Sequence, residues 1–146
     1  MNIKKELEAK AGIANGIYLN NIDLDPLMIK AIMKNEAVPS HPSQDFYGTS
    51  DADYLKTTIP LLQGAGTEVA SIQDILQMGI YITNAVKTPK TEYSIDKSSI
   101  ENSLPYLEAE ISLFPNPDKP EKFLQFLQIS STIKKNVGGC VHVTHG

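Results

Sequence analysis

Between Gly79 and a polar turn stands the run Ile80-Tyr81-Ile82-Thr83, made only of β-branched and aromatic residues, a composition that fits a strand better than any other element. Just ahead of it, Ser71 followed by Asp74 has the form of a capping box and predicts a short helix that Gly79 ends. A helix leading straight into a strand is one half of an alternating α/β pattern, and the rest of the chain continues it. Ile3, Leu7, Ala11 and Ala14 fall near helical spacing and predict a Lys- and Glu-rich helix from Ile3 to Ala14, weakened by Gly12 and stopped at Gly16. The apolar run from Leu27 to Met33 reads either as helix then strand or as one strand, with a strand over Ala31 to Lys34 the favoured reading. Asp51 predicts the cap of a helix whose Tyr54, Thr58, Leu61, Leu62 and Ala65 share a face, and Pro60 is expected to kink or shorten it. Ser99 is expected to open another helix, with Ile100, Leu104, Leu107 and Ile111 recurring along one side and Pro105 as an irregularity. Such alternation predicts a layered α/β sheet with functional groups in loops past the carboxyl ends of its strands. Asn84, after the Ile80–Thr83 strand, and Glu36, at the head of a crowded proline-containing loop "NEAVPSHPSQDFYG", are both expected in such places, facing one crevice.

Composition narrows the function classes. With 146 residues and 41% hydrophobic content the chain is sized for one domain with its own core. It has neither an apolar run of about 18 residues nor a basic-then-apolar leader, so a soluble, cytoplasmic protein is expected, and a monomer. The single cysteine, Cys140, forms no internal disulfide and does not by itself ligate an iron-sulfur cluster. A net charge of −4 argues against a generally basic nucleic-acid protein while leaving room for a local basic groove. Cys140, His142 and His145 are spaced C-x-H-x-x-H, fewer ligands than a structural zinc site uses. His142-Val143-Thr144 has the H-x-T form of two-histidine phosphoesterases, but its partner His41-Pro42-Ser43 carries a proline that argues against a strand there. No metal and no cofactor are expected. The tail adds "KFLQFLQISSTIKK", amphipathic through Phe123, Phe126, Leu127 and Ile133.

Three ordered segments, "MKNEAVPSHPSQDFYG", "GIYITNAVKTPK" and "SLPYLEAEISLFPN", resemble the bacterial uracil-DNA glycosylase-like family, in the superfamily that also holds mismatch-specific thymine/uracil glycosylases. The resemblance covers roughly residues 31 to 116, and "YITNAVK" with "PYLEAEI" is its most specific part. It implies a three-layer αβα sandwich around a mainly parallel sheet, and hydrolysis of the bond joining uracil to the sugar in DNA, as in base excision repair. By the same resemblance, Glu36 matches the acid that positions water, with Asn35 as a lesser candidate. Tyr47 or Phe46 would stack on a flipped pyrimidine, Asn84 would read its edge, and Lys87 and Lys90 would meet phosphates. That chemistry suits these residue types: the departing base is anionic and needs donors, and the sugar is oxocarbenium-like and needs a placed water. The chain departs from the family at "NEAVP", where Gly-Glu-Ala-Pro-Gly is usual, at Thr88, where some relatives have a cluster cysteine, and from Pro117 onward, where no family segment is matched.

Each of these residues also has an ordinary role open to it. Glu36 reads equally as a solvated loop acid, Asn84 as a turn cap, Phe46 and Tyr47 as loop anchors on the core, and the two lysines as a solvated face. A non-catalytic module that keeps the crevice and binds DNA or a protein is the alternative function.

Overall fold

The computed structural model describes residues 1–91 and 95–115 together with the backbone of 141–143. Within these, four α-helices, α1 (Ile3–Ala11), α2 (Asp53–Gly64), α3 (Ile72–Gln77) and α4 (Lys97–Ser112), accompany three strands, β1 (Ala31–Val38), β2 (Ile80–Pro89) and β3 (Val141–Val143). The strands lie in the order β2-β1-β3. β1 and β2 run parallel, with Ala31 opposite Ile80 and Asn35 opposite Asn84. β3 pairs antiparallel to the other side of β1. The chain is thus a mixed α/β structure built on a parallel strand pair.

Local signals explain the helix ends. Asn2 caps α1, its side chain accepting from the Lys5 amide, and Gly12 at φ 91° closes the helix before the expected Ala14. Ser71 caps α3 as the spacing predicts, accepting from the Asp74 amide at 3.2 Å, while the Asp74 carboxylate accepts from Ala70 N–H at 2.9 Å. Gly79, at φ 85°, turns the chain from α3 into β2, and its carbonyl accepts from Lys30 and Ala31 amides at the start of β1. α2 begins after Ala52, not at Asp51, and it continues through Pro60 to Gly64. α4 begins after Asp96, ahead of the expected opening at Ser99, because the Asp96 carboxylate takes the Ser99 N–H at 2.7 Å.

Both strands are longer than the sequence suggests. β1 runs past the expected Lys34 to include Asn35 and Glu36, and Asn84 lies inside β2, so none of these three occupies a loop beyond a strand end. Asparagine and lysine are poor strand formers in isolation, and here the pairing of the two chains overrides that preference. Side chains alternate across each strand. Ala31, Met33, Ile80 and Ile82 join Phe46, Leu55, Leu62, Val69, Ile72 and Ile75 in one buried cluster with α2 and α3. Ile32 and Tyr81, pointing the other way, join Ile3, Leu7, Ile29, Tyr106 and Phe114 in a second cluster with α1 and α4. Met33 and Ile82 are fully buried, and each contributes roughly 1.5–3 kcal/mol of apolar burial.

The buried side of α4 is Ser103, Tyr106, Leu107 and Glu110, whereas Ile100 and Leu104 are 49% and 47% exposed. Of the four residues expected on the apolar side, Leu107 is buried and Ile111 packs against the second cluster, while Ile100 and Leu104 turn outward because the inner face also carries a serine and a glutamate, both bonded.

Backbone groups of β2 that point away from β1 are also engaged. Ile82 N–H donates to the Tyr47 hydroxyl at 3.1 Å, and the Ile82 carbonyl accepts from the Asn20 amide at 3.4 Å. Lys87 N–H donates to Ser103 Oγ at 2.8 Å, and its carbonyl accepts from Tyr18 N–H at 2.8 Å.

Candidate functional site

Register places Asn35 directly beside Asn84, and their side chains meet on the face that carries the α2/α3 cluster. Asn35 Nδ2 donates to Asn84 Oδ1 at 2.8 Å and to the Ala37 carbonyl at 3.3 Å. Asn84 Nδ2 donates in turn to Asp45 Oδ2 at 2.7 Å. Asp45 arrives from the segment after β1, which folds back over the sheet through the turn Pro42–Gln44. That segment is tied by Gly48 N–H to the Asp45 carbonyl and by Thr49 N–H to the Ser43 carbonyl, both at 3.0 Å. Gly48 is required there for space: a Cβ on it would lie 2.0 Å from the Ser43 oxygen. Asp45 Oδ1 accepts from Phe46 N–H at 2.8 Å, so each carboxylate oxygen has a donor.

Burial raises the Asp45 pKa above the usual 3.8, outweighing the hydrogen bonds from Asn84 and Phe46 N–H that favour the anion. A carboxyl whose folded pKa lies above its unfolded value gives its full stabilisation below the unfolded value and loses it as pH rises through the folded one. The stability of the wild type relative to Asp45→Asn is therefore expected to fall as pH increases from about 4 toward neutrality, read by urea denaturation at each pH. A difference that stays flat or grows with pH contradicts this environment for Asp45.

The expected site residues separate into those brought together and those not. Asn35 and Asn84 are in contact. Glu36 is exposed and, by alternation along β1, stands on the opposite side of the strand from Asn35. Phe46 is 2% exposed and packs on Tyr54, ring centroids 5.1 Å apart, as part of the core. Tyr47 lies against Tyr81 with centroids 5.9 Å apart and planes 21° from parallel, its hydroxyl on the Ile82 amide, and burial pushes its ionisation well above the ordinary 10.0. Lys90 is exposed, its ammonium 5.5 Å above the Tyr54 ring and its amide bonded to the Val38 carbonyl. It borders a pocket with Val86, Pro89 and Ile95 in which Asp96 adds negative charge. Lys87 corrects the phosphate expectation. Between the Ala37–Val86 and Val38–Pro89 pairs, Lys87 and Thr88 bulge out of register, and the Lys87 ammonium turns inward.

Inside, the Lys87 ammonium lies 2.5 Å from Glu110 Oε1 and 2.8 Å from Thr83 Oγ1, with the two charged side chains 2% and 1% exposed. Tyr81 donates its hydroxyl to Glu110 Oε2, and Asn20 Nδ2 donates to the Tyr81 hydroxyl at 2.7 Å and to Thr83 Oγ1 at 3.1 Å. Burial, with the Glu110 charge next, holds the Tyr81 phenol well above its ordinary value and therefore protonated. This network fills the α4 side of β2, and its polar groups are paired. Among the described residues Thr67 Oγ1 is the fully buried side-chain polar atom left without a partner.

Sequence reasoning passed over Asp45, Glu110, Asn20 and Thr83. Glu110 carried a usable signal, since it recurs with Ser103 and Leu107 at helical spacing; Asp45 carried none beyond sitting in a crowded segment. Among the described residues no group of histidine, cysteine, aspartate and glutamate is arranged to hold a metal ion, and no helix is long and apolar enough to cross a membrane. The side chains of Cys140, His142 and His145 lie outside the described residues. Comparisons with protein-family models, with curated proteins and with solved structures gave no match.

Proposed function

We propose that the chain is a uracil-DNA glycosylase-like protein, a three-layer αβα sandwich acting as a cytoplasmic monomer on uracil-containing DNA. The observation that carries the reading is the Asn35–Asn84 contact, which joins two of the three resembling segments across a pair of parallel strands. The third segment is tied to the second where Glu110 meets Thr83 and Lys87. Apolar clusters on both faces of the strand pair support the sandwich. In the reaction, water oxygen bonds to the sugar carbon, the carbon–nitrogen bond breaks, and the base leaves with the electron pair. Asn84 is assigned to the edge of the departing base, and Glu36, with Asn35 as a lesser candidate, to positioning the water.

A second reading, a non-catalytic DNA-binding module derived from the same fold, is favoured by a specific observation: Glu36 stands across the strand from the amide pair. An oligonucleotide with a single uracil, incubated with the protein and treated with alkali, separates the two. Cleavage at the uracil that Glu36→Gln slows supports the hydrolase; cleavage at an unchanged rate removes Glu36 from the chemistry. No cleavage, with DNA binding that weakens steeply as salt rises, selects the binding module, and no binding at all removes both.

A further inference from the structure

We propose that Asn15 is a modification site, the place where the folded chain loses a side-chain amide and acquires an isoaspartate link. The sequence has one Asn-Gly step, Asn15-Gly16, and it forms the centre of a turn in which Ile17 N–H donates to the Ala14 carbonyl at 3.4 Å. Gly16 stands there at φ 80°, the left-handed backbone that a type II turn needs at its third position. Both residues are exposed, and nothing lies within 4 Å of where a Cβ on Gly16 would stand, so its nitrogen is uncrowded. Among the described residues no acceptor holds the Gly16 amide hydrogen. The exposed residues 13–16 hang between two anchors. On one side Gly12 N–H donates to the Glu8 carbonyl at 2.9 Å and the Gly12 carbonyl accepts from the Tyr106 hydroxyl at 2.9 Å; on the other, Tyr18 N–H donates to the Lys87 carbonyl at 2.8 Å. Between them the turn is closed, among the described residues, by one long hydrogen bond, so it reaches the geometry of attack without wider unfolding.

In the reaction the Gly16 nitrogen gives up its proton to solvent and bonds to Asn15 Cγ, the Cγ–Nδ2 bond breaks, and ammonia leaves with a proton from water, closing a five-membered succinimide. Water then opens the ring at one of its two carbonyls. Opening at the side-chain carbonyl leaves aspartate; opening at the backbone carbonyl routes the main chain through Cβ, adding one atom, and leaves a pendant carboxylate. The sum is amide and water to acid and ammonia, and one negative charge joins the net −4. Other asparagines lack the combination. Asn20, Asn35 and Asn84 are buried, their side-chain nitrogens donating to Tyr81, Asn84 and Asp45. Asn2 and Asn21 are each followed by a β-branched isoleucine that crowds the attacking nitrogen. Asn102 lies inside α4, whose regular backbone holds the nitrogen that follows it.

The test holds the full chain, folded, in warm and mildly alkaline buffer beside the same chain in urea, and follows its peptides by mass spectrometry that separates asparagine, aspartate and isoaspartate. The folded chain is expected to convert at residue 15 ahead of every other asparagine, to both acids, at a rate within about tenfold of that in urea. Gly16→Ala slows the conversion by about tenfold in either state, because its methyl group crowds the nitrogen. Asn15→Gln, whose longer side chain does not close the five-membered ring, leaves the acidic form absent. A folded chain that keeps Asn15 intact while the chain in urea converts overturns the site, since the native turn then protects it. Conversion that comes first at another asparagine, that Gly16→Ala leaves at the same rate, or that occurs in neither state overturns it as well.

Discussion

Glu110→Gln is expected to lower the stability of the fold by about 3–5 kcal/mol, because it leaves the Lys87 ammonium buried without a counter-charge. The magnitude follows from where the pair sits. Lys87 is 2% exposed and has Thr83 Oγ1 and Glu110 as its partners, so neither water nor another anion replaces the lost carboxylate. Lys87→Met strands the Glu110 charge instead and is expected to cost a similar amount. Against a typical domain stability of about 5–15 kcal/mol, either loss is severe. Combining Lys87→Met with Glu110→Gln removes both charges while keeping an amide oxygen for the Tyr81 hydroxyl, and recovers most of the loss. Denaturant midpoints of the two single variants and the double variant measure all three quantities. Single variants within about 1 kcal/mol of the wild type contradict a buried, mutually dependent pair.

Gly48→Ala is expected to cost about 3 kcal/mol, at the upper end for inserting one carbon into a packed site. The added Cβ would stand 2.0 Å from the Ser43 oxygen and 2.7 Å from its carbonyl carbon. Backbone cannot swing aside as a side chain can, and the Ser43 oxygen is itself held by Thr49 N–H. The turn has to open, and opening it withdraws Asp45 from Asn84. A visible companion to the lost stability is therefore a shift of the Asn84 side-chain amide signals, while the equivalent change at Gly64, with nothing near its Cβ position, leaves them in place. Unchanged Asn84 signals in folded Gly48→Ala contradict the coupling.

What could be read from the sequence was what is decided locally. Ser71, Asp74 and Gly79 carry their own geometry, so α3 and the turn into β2 follow from residue types. The strand at Ile80–Thr83 follows from β-branching and aromatic content, but its extension through Asn84 to Pro89 follows from pairing with β1, a partner forty-nine positions away at the Asn35–Asn84 contact. The same blindness moved Lys87 to the surface in the sequence reading, since a lysine is buried only when an acid awaits it, and Glu110 waits on another element. Asn35 and Asn84 were legible as chemistry-bearing residues by resemblance, and their mutual contact was not. Glu36 was read as loop because a polar run after an apolar one looks like an exit from a strand; β1 instead carries Lys34, Asn35 and Glu36 in its middle and ends on the buried Ala37 and Val38.

The hydrogen bonds that Tyr47, Asn20, Ser103 and Tyr18 make to β2 bear on how this molecule meets other copies of itself. A sheet margin with free amides and carbonyls is a template on which another chain can add a strand and begin a fibre. Here the Ile82 and Lys87 positions along that margin are each occupied on both their donor and their acceptor by groups of the same chain. The phenol of Tyr47 thus serves as a bolt against strand addition, and its removal in Tyr47→Phe unbolts the Ile82 amide near the start of the margin.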